Sequence, residues 1–348
     1  MGENTSVHSF YCGDSTKLSC IETSSVDLIV TSPPYPMVTM WDEMFGSVCK
    51  DISSWLQEGK VSVAFDSMHQ YLNKVWNECI RVLKEGGFLC INIGDAVRTI
   101  NGEFQLFPNH SRVIEYCTQA GLTYLPSILW RKPNNSPTKF MGSGMYPSGA
   151  YVTYEHEYIL VFRKGKKRVF SKEEQKRRRE SAIFWEERNQ WFSDLWNLNG
   201  CRQNEVLLTS RKRNASFPFV LPYRLISMYS IQGDMVLDPF MGLGTTTMAS
   251  MALHRNSIGV DIKPDVVQGA ITNVKRSIPF LLSCFIERIN NHLDFISNLP
   301  EEKKRKLFVN EFHKMGVVSK QEIKAVVPLL DKVMYANNQF LCNYEPVG

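Results

Sequence analysis

The stretch Asp27-Leu28-Ile29-Val30-Thr31-Ser32-Pro33-Pro34-Tyr35 restricts this chain more than any other. Its apolar first half reads as a strand buried on both faces. Two prolines then end the strand. Proline donates no backbone hydrogen and pushes the preceding residue into extended geometry. The product is a stiff turn at a strand's carboxyl end, where open α/β sheets bind ligands. Carbonyl oxygens on such a turn have no ladder partner and can accept hydrogens from an amino group. Tyr35 adds a flat ring beside them. An amine acceptor next to a stacking ring suits an aromatic amine, such as the exocyclic amine of a nucleobase. Taken alone, Ser32-Pro33-Pro34-Tyr35 also describes an ordinary rigid loop, so a second motif has to decide.

A chain of 348 residues accommodates one large α/β domain with an insertion, or two domains. Its 43% hydrophobic content supports a real core, and no apolar run approaches the roughly 20 residues of a membrane span. The start, Met1-Gly2-Glu3-Asn4-Thr5, lacks the pattern of a secretory signal. The nine cysteines are scattered, without a Cys-x-x-Cys pair. They read as buried thiols in a reducing, cytoplasmic setting, with neither disulfides nor a zinc site. The seven histidines show no metal-ligand spacing.

In chain order, Phe10-Tyr11-Cys12 reads as a strand ending at Gly13-Asp14, with Asp14 either capping a helix from Ser15 or binding ligand hydroxyls. Residues 36–59 read equally as a mobile flap or as loop and short helix packed on the core. The apolar spacing over Val63–Leu83 predicts a helix, with Gly86-Gly87 as its terminator and a buried strand over Phe88–Ile93. A helix over Pro108–Gly121 leads to strands Leu125–Trp130 and Tyr154–Arg163, an expected antiparallel pair around a loop at Lys132–Gly149. Next comes a basic run: Lys164, Lys166, Lys167, Arg168, Lys172, Lys176, Arg177, Arg178 and Arg179, with Arg211, Lys212 and Arg213 further on. The interleaved Phe170, Phe184, Trp185, Trp191, Phe192 and Trp196 fit a nucleic-acid surface or a small core under a solvated face. The arginines are the better nucleic-acid candidates.

The second motif is Met235-Val236-Leu237-Asp238-Pro239-Phe240-Met241-Gly242-Leu243-Gly244-Thr245-Thr246, a strand, a Gly-x-Gly turn and a helix start. Ser257-Ile258-Gly259-Val260-Asp261 is the next strand, ending in an acid placed for ribose hydroxyls. Thr247 stands where a dinucleotide fingerprint has its third glycine. Asp238 suits a ligand ammonium group, which a pyrophosphate lacks. S-adenosyl-L-methionine, a nucleoside carrying an amino acid, matches both acids, with Asp238 toward the methionine end and Asp261 toward the ribose.

With these residues in place, the chain resembles the β-class DNA amino-methyltransferases over most of residues 8–265. Thr31–Tyr35 resembles the family's catalytic tetrapeptide with its preceding residue, and Asp238–Thr246 its cofactor loop. Leu83-Lys84-Glu85-Gly86-Gly87, Trp130-Arg131-Lys132-Pro133 and Tyr154-Glu155-His156-Glu157-Tyr158-Ile159-Leu160 resemble its intervening motifs. Phe217-Pro218 resembles the motif that packs on the methionine moiety. Catalytic motif first, basic region next and cofactor motif last is the order that defines the class. Departures are Asp261, where relatives often carry Glu, and Arg213-Asn214-Ala215-Ser216 in place of an expected histidine and proline.

The resemblance implies a Rossmann-like, circularly permuted S-adenosyl-L-methionine-dependent sheet. Its expected parts are a catalytic half at 8–163, a target-recognition insertion at 164–212, a cofactor half at 213–271 and a helical extension at 272–348. It implies catalytic Ser32, Pro33, Pro34 and Tyr35. It implies a cofactor site of Asp14, Phe217, Pro218, Asp238, Phe240, Gly242, Gly244, Thr245, Thr246 and Asp261, without metal. The substrate would be double-stranded DNA and the setting a restriction–modification pair, with a cognate endonuclease acting on the same site and no direct contact implied. Ser at the first tetrapeptide position goes with N4 of cytosine, and N6 of adenine is the alternative. Sequence reading is expected within 132–150 and 163–215. Other readings are a nicotinamide-dependent oxidoreductase on Gly242-Leu243-Gly244 and Asp261, a nucleic-acid binder without catalysis, and an enzyme acting on RNA or protein amines.

Overall fold

The computed structural model describes residues 4–132, 143–199 and 217–346. Strands β1 (Thr5–Cys12), β2 (Val26–Thr31) and β3 (Leu83–Ile93) come first, with helices α1 (Asp42–Val48), α2 (Ile52–Gln57) and α3 (Val61–Val82) between the last two. A hairpin of β4 (Ala96–Ile100) and β5 (Glu103–Phe107), helix α4 (Asn109–Gln119) and strands β6 (Leu122–Arg131) and β7 (His156–Lys164) follow. Then come α5 (Lys172–Glu180), α6 (Trp185–Trp191), β8 (Leu195–Asn197), α7 (Val220–Tyr229), β9 (Met235–Asp238), α8 (Thr245–Ala252) and β10 (Asn256–Asp261). The tail holds α9 (Pro264–Ser297), α10 (Glu301–Lys304), the small pair β11 (Phe308–Val309) and β12 (Gly316–Val317), and the hairpin β13 (Leu329–Ala336) and β14 (Gln339–Glu345).

Ten strands form one sheet in the order β13-β14-β1-β10-β9-β2-β3-β7-β6-β8. The five strands β1, β10, β9, β2 and β3 run parallel, so their carboxyl ends share one rim. β7 pairs antiparallel to both β3 and β6. One face of the sheet is covered by α3 and α4 through Met68, Leu72, Trp76, Val113 and Cys117. The other is covered by α7, α8 and α9 through Leu221, Leu225, Ala249, Met251, Ala270 and Val274. All six residues of β2 are buried, as its apolar run requires.

Several expectations need correction. No helix follows Ser15: Asp14 instead closes a turn, its Oδ1 accepting from the Thr16 amide at 2.9 Å, because no periodic apolar run continues beyond it. Gly86-Gly87 does not end α3, which stops at Val82; the glycines lie inside β3. There the ladder with β2 shifts register, a Cβ on Gly86 would lie 2.5 Å from the Arg168 backbone, and one on Gly87 2.8 Å from the Asp27 carbonyl. Residues 36–59 carry short helices rooted in the core by fully buried Met37, Phe45 and Ile52. The expected loop at Lys132–Gly149 lies partly outside the described residues.

The tail is helical only in its first part. β13 and β14 extend the large sheet from the edge of β1, and their turn, Asn337-Asn338, has both residues at positive φ. That conformation twists a two-residue turn to match its strands. The inserted segment and the tail also share a small core of Phe184, Met315, Val317, Ala325 and Val327. Beside it, His292 Nδ1 and Nε2 meet Glu186 and the Gly316 carbonyl, both at 2.8 Å. Glu186, His292 and Glu322 are close enough to hold a cation, but both ring nitrogens face protein oxygens, so the cluster reads as an ion-pair node.

Candidate functional site

β2 and β9 are neighbours, with Leu28 opposite Val236 and Ile29 opposite Leu237. Two motifs some two hundred positions apart therefore end side by side. A buried carboxylate joins them. Asp238 Oδ1 accepts from the Thr31 hydroxyl at 2.7 Å and the Phe240 amide at 3.0 Å, and Oδ2 accepts from the Thr246 hydroxyl at 2.8 Å. Thr31 directly precedes Ser32, and Thr246 lies in the first turn of α8. Asp238 is 2% exposed and enclosed by these donors. It is therefore not an open acid facing a ligand ammonium group, which corrects the sequence reading. Burial pushes its carboxyl up to about 6, against three hydrogen bonds that favour the charged form.

The proline turn is fixed from a second side. Asn109, fully buried at the start of α4, donates to the Pro36 and Gly94 carbonyls, each at 3.0 Å. The Tyr35 hydroxyl donates to Glu157 Oε2 at 2.8 Å and lies 2.8 Å from Asn92 Nδ2 and 3.0 Å from Ser32 Oγ. Asn92 Nδ2 also donates to Glu157 Oε2 at 2.7 Å, and Lys132 pairs with Glu157 Oε1. A Cβ on Gly94 would lie 3.1 Å from the Tyr35 ring and 3.2 Å from Glu157, so a larger residue would press on both by a few tenths of an ångström. Burial first, then the Glu157 charge, holds the Tyr35 phenol well above its ordinary value. The Pro33 carbonyl takes part in none of these bonds.

Along the same rim, β1 and β10 pair Cys12 with Asp261. Asp14 Oδ1 accepts from Tyr71 at 3.3 Å, while Asp261 Oδ2 accepts from the Gly242 amide at 3.3 Å and Oδ1 from the Lys263 amide at 3.1 Å. Gly13 opens onto free space, with no atom within 4 Å of where a Cβ would sit. Gly242 and Gly244 sit at φ of 53° and 78°, and Thr245 opens α8. Phe240 packs edge-on to Trp76 at 6.1 Å. The acids, the positive-φ loop and the open place at Gly13 fit a nucleoside with ribose hydroxyls. Phe217 and Pro218 lie on the opposite face of the sheet from Phe240; Phe217 packs in the cluster that holds Val30, and Pro218 leads into α7.

The basic run is not at this rim. β7 begins at the mouth with His156 and ends at the far rim with Lys164, carrying the following residues away. Lys164 caps the Ile80 and Leu83 carbonyls, each at 2.7 Å. Arg168 binds both Asp234 oxygens at 2.7 and 3.0 Å and Glu174 at 2.7 Å, with Asp27 at 3.5 Å. Arg177 reaches the Gln232 carbonyl at 3.3 Å. Asp27 and Asp234 stand where β2 and β9 begin, so these cations are structural. Phe184, Trp191 and Trp196 are buried, whereas Trp185 and Phe192 are exposed. Arg211, Lys212, Arg213 and the segment to Ser216 lie outside the described residues.

Sequence reasoning gave no site role to Asn92 or Asn109, and placed Lys132 and Glu157 only within the intervening motifs. The one usable signal was polarity out of place: Asn92 in an apolar strand, and Glu157 at the head of another.

A family model described as DNA methylase matches residues 26–272. The type II methyltransferase M.MthZI of Methanothermobacter thermautotrophicus is 45% identical over 346 residues, 98% of this chain and 96% of that protein. The type II methyltransferase M.MjaI of Methanocaldococcus jannaschii is 49% identical over 269 residues, 74% of this chain and 88% of that protein. A solved structure from Thermus thermophilus, complexed with S-adenosyl-L-methionine, matches with a TM-score of 0.59 at 30% identity, over 78% of this chain and 95% of that one. Among the described residues, no helix is long and apolar enough to cross a membrane.

Proposed function

The chain belongs to the β-class DNA amino-methyltransferases, and on that premise we propose that it methylates N4 of a cytosine extruded from duplex DNA. It is a type II DNA amino-methyltransferase that uses S-adenosyl-L-methionine. The family match removes the oxidoreductase reading. The Asp238 clasp, which sets the Ser32–Tyr35 turn against the Gly242–Thr246 loop, carries methyl transfer to an amine, and Ser32 carries the choice of cytosine.

When bound, S-adenosyl-L-methionine supplies an electrophilic methyl on a sulfonium. The chain's part is to hold the donor and prepare the amine. Asp261 and Asp14 take the ribose end, beside Gly242, Gly244 and Thr245. Phe240 packs at the loop, and Phe217-Pro218 are assigned to the methionine end of the donor. The amine's lone pair is delocalised into the ring, which makes it a poor nucleophile. Ser32 Oγ and the Pro33 carbonyl accept its two hydrogens and favour a tetrahedral nitrogen. That nitrogen then attacks the methyl in line, the carbon–sulfur electrons stay on sulfur, and the surplus proton leaves to solvent. Alignment of this kind contributes on the order of 7–11 kcal/mol. Stacking on Tyr35, worth roughly 1–3 kcal/mol, offsets part of the cost of unstacking the base.

Ser32 supports cytosine over adenine. The setting we propose is a restriction–modification pair with an endonuclease acting on the same site. Sequence reading fits the described residues ahead of β7, 143–155, where Met145 and Val152 are 88% and 87% exposed and Tyr146 79%. It fits the far-rim basic run poorly. The test is methyl transfer to duplex oligonucleotides followed by nucleoside analysis. N4-methyl-2′-deoxycytidine is expected, and N6-methyl-2′-deoxyadenosine as the only product overturns the cytosine assignment.

A further inference from the structure

Counting protons around Tyr35 fixes the direction of every bond in its network. Glu157 is a pure acceptor: Oε1 faces the Lys132 ammonium, and Oε2 faces the Tyr35 hydroxyl at 2.8 Å and Asn92 Nδ2 at 2.7 Å. A tyrosine hydroxyl has one proton. If that proton turned to Ser32, two bare oxygens would face each other at 2.8 Å, so it points at Glu157. The two amide hydrogens of Asn92 go to Glu157 Oε2 and to Tyr35 Oη, the latter at 2.8 Å. The remaining contact of Tyr35 Oη is Ser32 Oγ at 3.0 Å, and with the phenol proton already committed, Ser32 has to donate.

We propose that Glu157 is a positioning residue that, through Tyr35, turns the Ser32 proton inward, so that Ser32 shows the target amine only lone pairs. A serine hydroxyl free to rotate can aim its proton at the amine, which would favour the planar, unreactive nitrogen. The carboxylate removes that option before the base arrives. Asn92 acts with it by filling the other lone pair of the Tyr35 oxygen. High burial of the phenol and the nearby negative charge keep its proton in place across neutral pH. The proposal rests on the reading above that Ser32 faces the amine.

The test uses the full chain, duplex oligonucleotide and S-adenosyl-L-methionine. Glu157→Gln is nearly isosteric but presents an amide that donates, which reverses the chain of bonds and turns the Ser32 proton outward. Its kcat is expected to fall about ten- to a hundred-fold, one or two lost hydrogen bonds in the transition state, with KM for DNA and donor affinity by calorimetry unchanged. In a Tyr35→Phe background, which keeps the ring and cuts the link, the same substitution should change kcat by less than about two-fold. An unchanged kcat in Glu157→Gln, or an equal fall in both backgrounds, overturns the proposal. Should Glu157→Gln fail to bind the donor, Tyr35→Phe alone decides: lowered kcat at constant KM supports the relay, and wild-type kcat overturns it. Wild-type enzyme that methylates no exocyclic amine would instead refute the underlying functional reading.

Discussion

Thr31 and Thr246 touch different oxygens of one carboxylate, which makes them a means of testing whether Asp238 couples the two motifs. Thr31→Val and Thr246→Val are isosteric and each removes a single donor from a buried charged acceptor. Each loss is worth about 1.5–3 kcal/mol. The carboxyl already sits near 6, against an ordinary 3.8, because burial disfavours its charge. Losing one hydroxyl pushes it higher, so near neutral pH it begins to protonate. The second hydroxyl then bonds a neutral group, worth about 0.5–1.5 kcal/mol. The double variant should therefore cost less than the sum of the singles by on the order of 1 kcal/mol. The sign with pH follows from the same shift. Between 3.8 and about 6 the folded chain holds a proton that the unfolded chain has released, so this group's contribution to stability falls as pH rises through that window. In either single variant the upper edge of the window moves upward. Denaturant unfolding at several pH values reads both effects, and single-turnover methyl transfer reads the displacement of the turn. Strict additivity, within about 0.3–0.5 kcal/mol, would show that the clasp does not couple the motifs.

Arg168→Met should destabilise the chain by about 3–5 kcal/mol, since it leaves Asp234 buried without its charged partner, whereas Asp27 keeps Lys84. KM for DNA and its salt dependence should stay as in the wild type, and a weakened DNA affinity at unchanged stability would return this residue to the DNA interface. Phe340 of β14, fully buried against Phe10 of β1, should cost about 3–5 kcal/mol as Phe340→Ala; a melting temperature equal to wild type would show the hairpin to be a dispensable appendage. Burial lowers the affinity of His292 for its proton, but Glu186 and the Gly316 carbonyl outweigh it and raise the folded value above 6.5. Its stabilising contribution is whole below about 6.5 and is lost as pH rises through that higher folded value. Melting temperatures between pH 6 and 8.5 should fall more steeply in the wild type than in His292→Gln, and identical slopes would refute this.

What could be read from the sequence was whatever one segment encodes by itself. Pro33-Pro34 stops a buried strand wherever that strand lies, the α3 spacing makes one apolar face, and Gly242-Leu243-Gly244 turns at positive φ before a helix. The residues that give the site its polarity are not of that kind. Tyr35, Asn92 and Glu157 are separated by 57 and 65 positions and acquire a common role only because β3 lies between β2 and β7. The tail hairpin did carry a local signal, Asn337-Asn338 followed by alternating Phe340, Cys342 and Tyr344, but it follows a 34-residue helix whose period dominates the region. The basic run shows the limit most plainly. Counting cations locates charge along the chain, whereas the direction of β7 decides which rim receives it. Antiparallel pairing with β3 delivers Lys164, Arg168 and Arg177 to the amino ends of β3, β2 and β9, where carbonyls and carboxylates already await them. The same pairing leaves the chain before His156 at the mouth. On the proposed reading, a duplex presented to Tyr35 would meet the described residues ahead of β7, 143–155, before the lysines and arginines that follow β7.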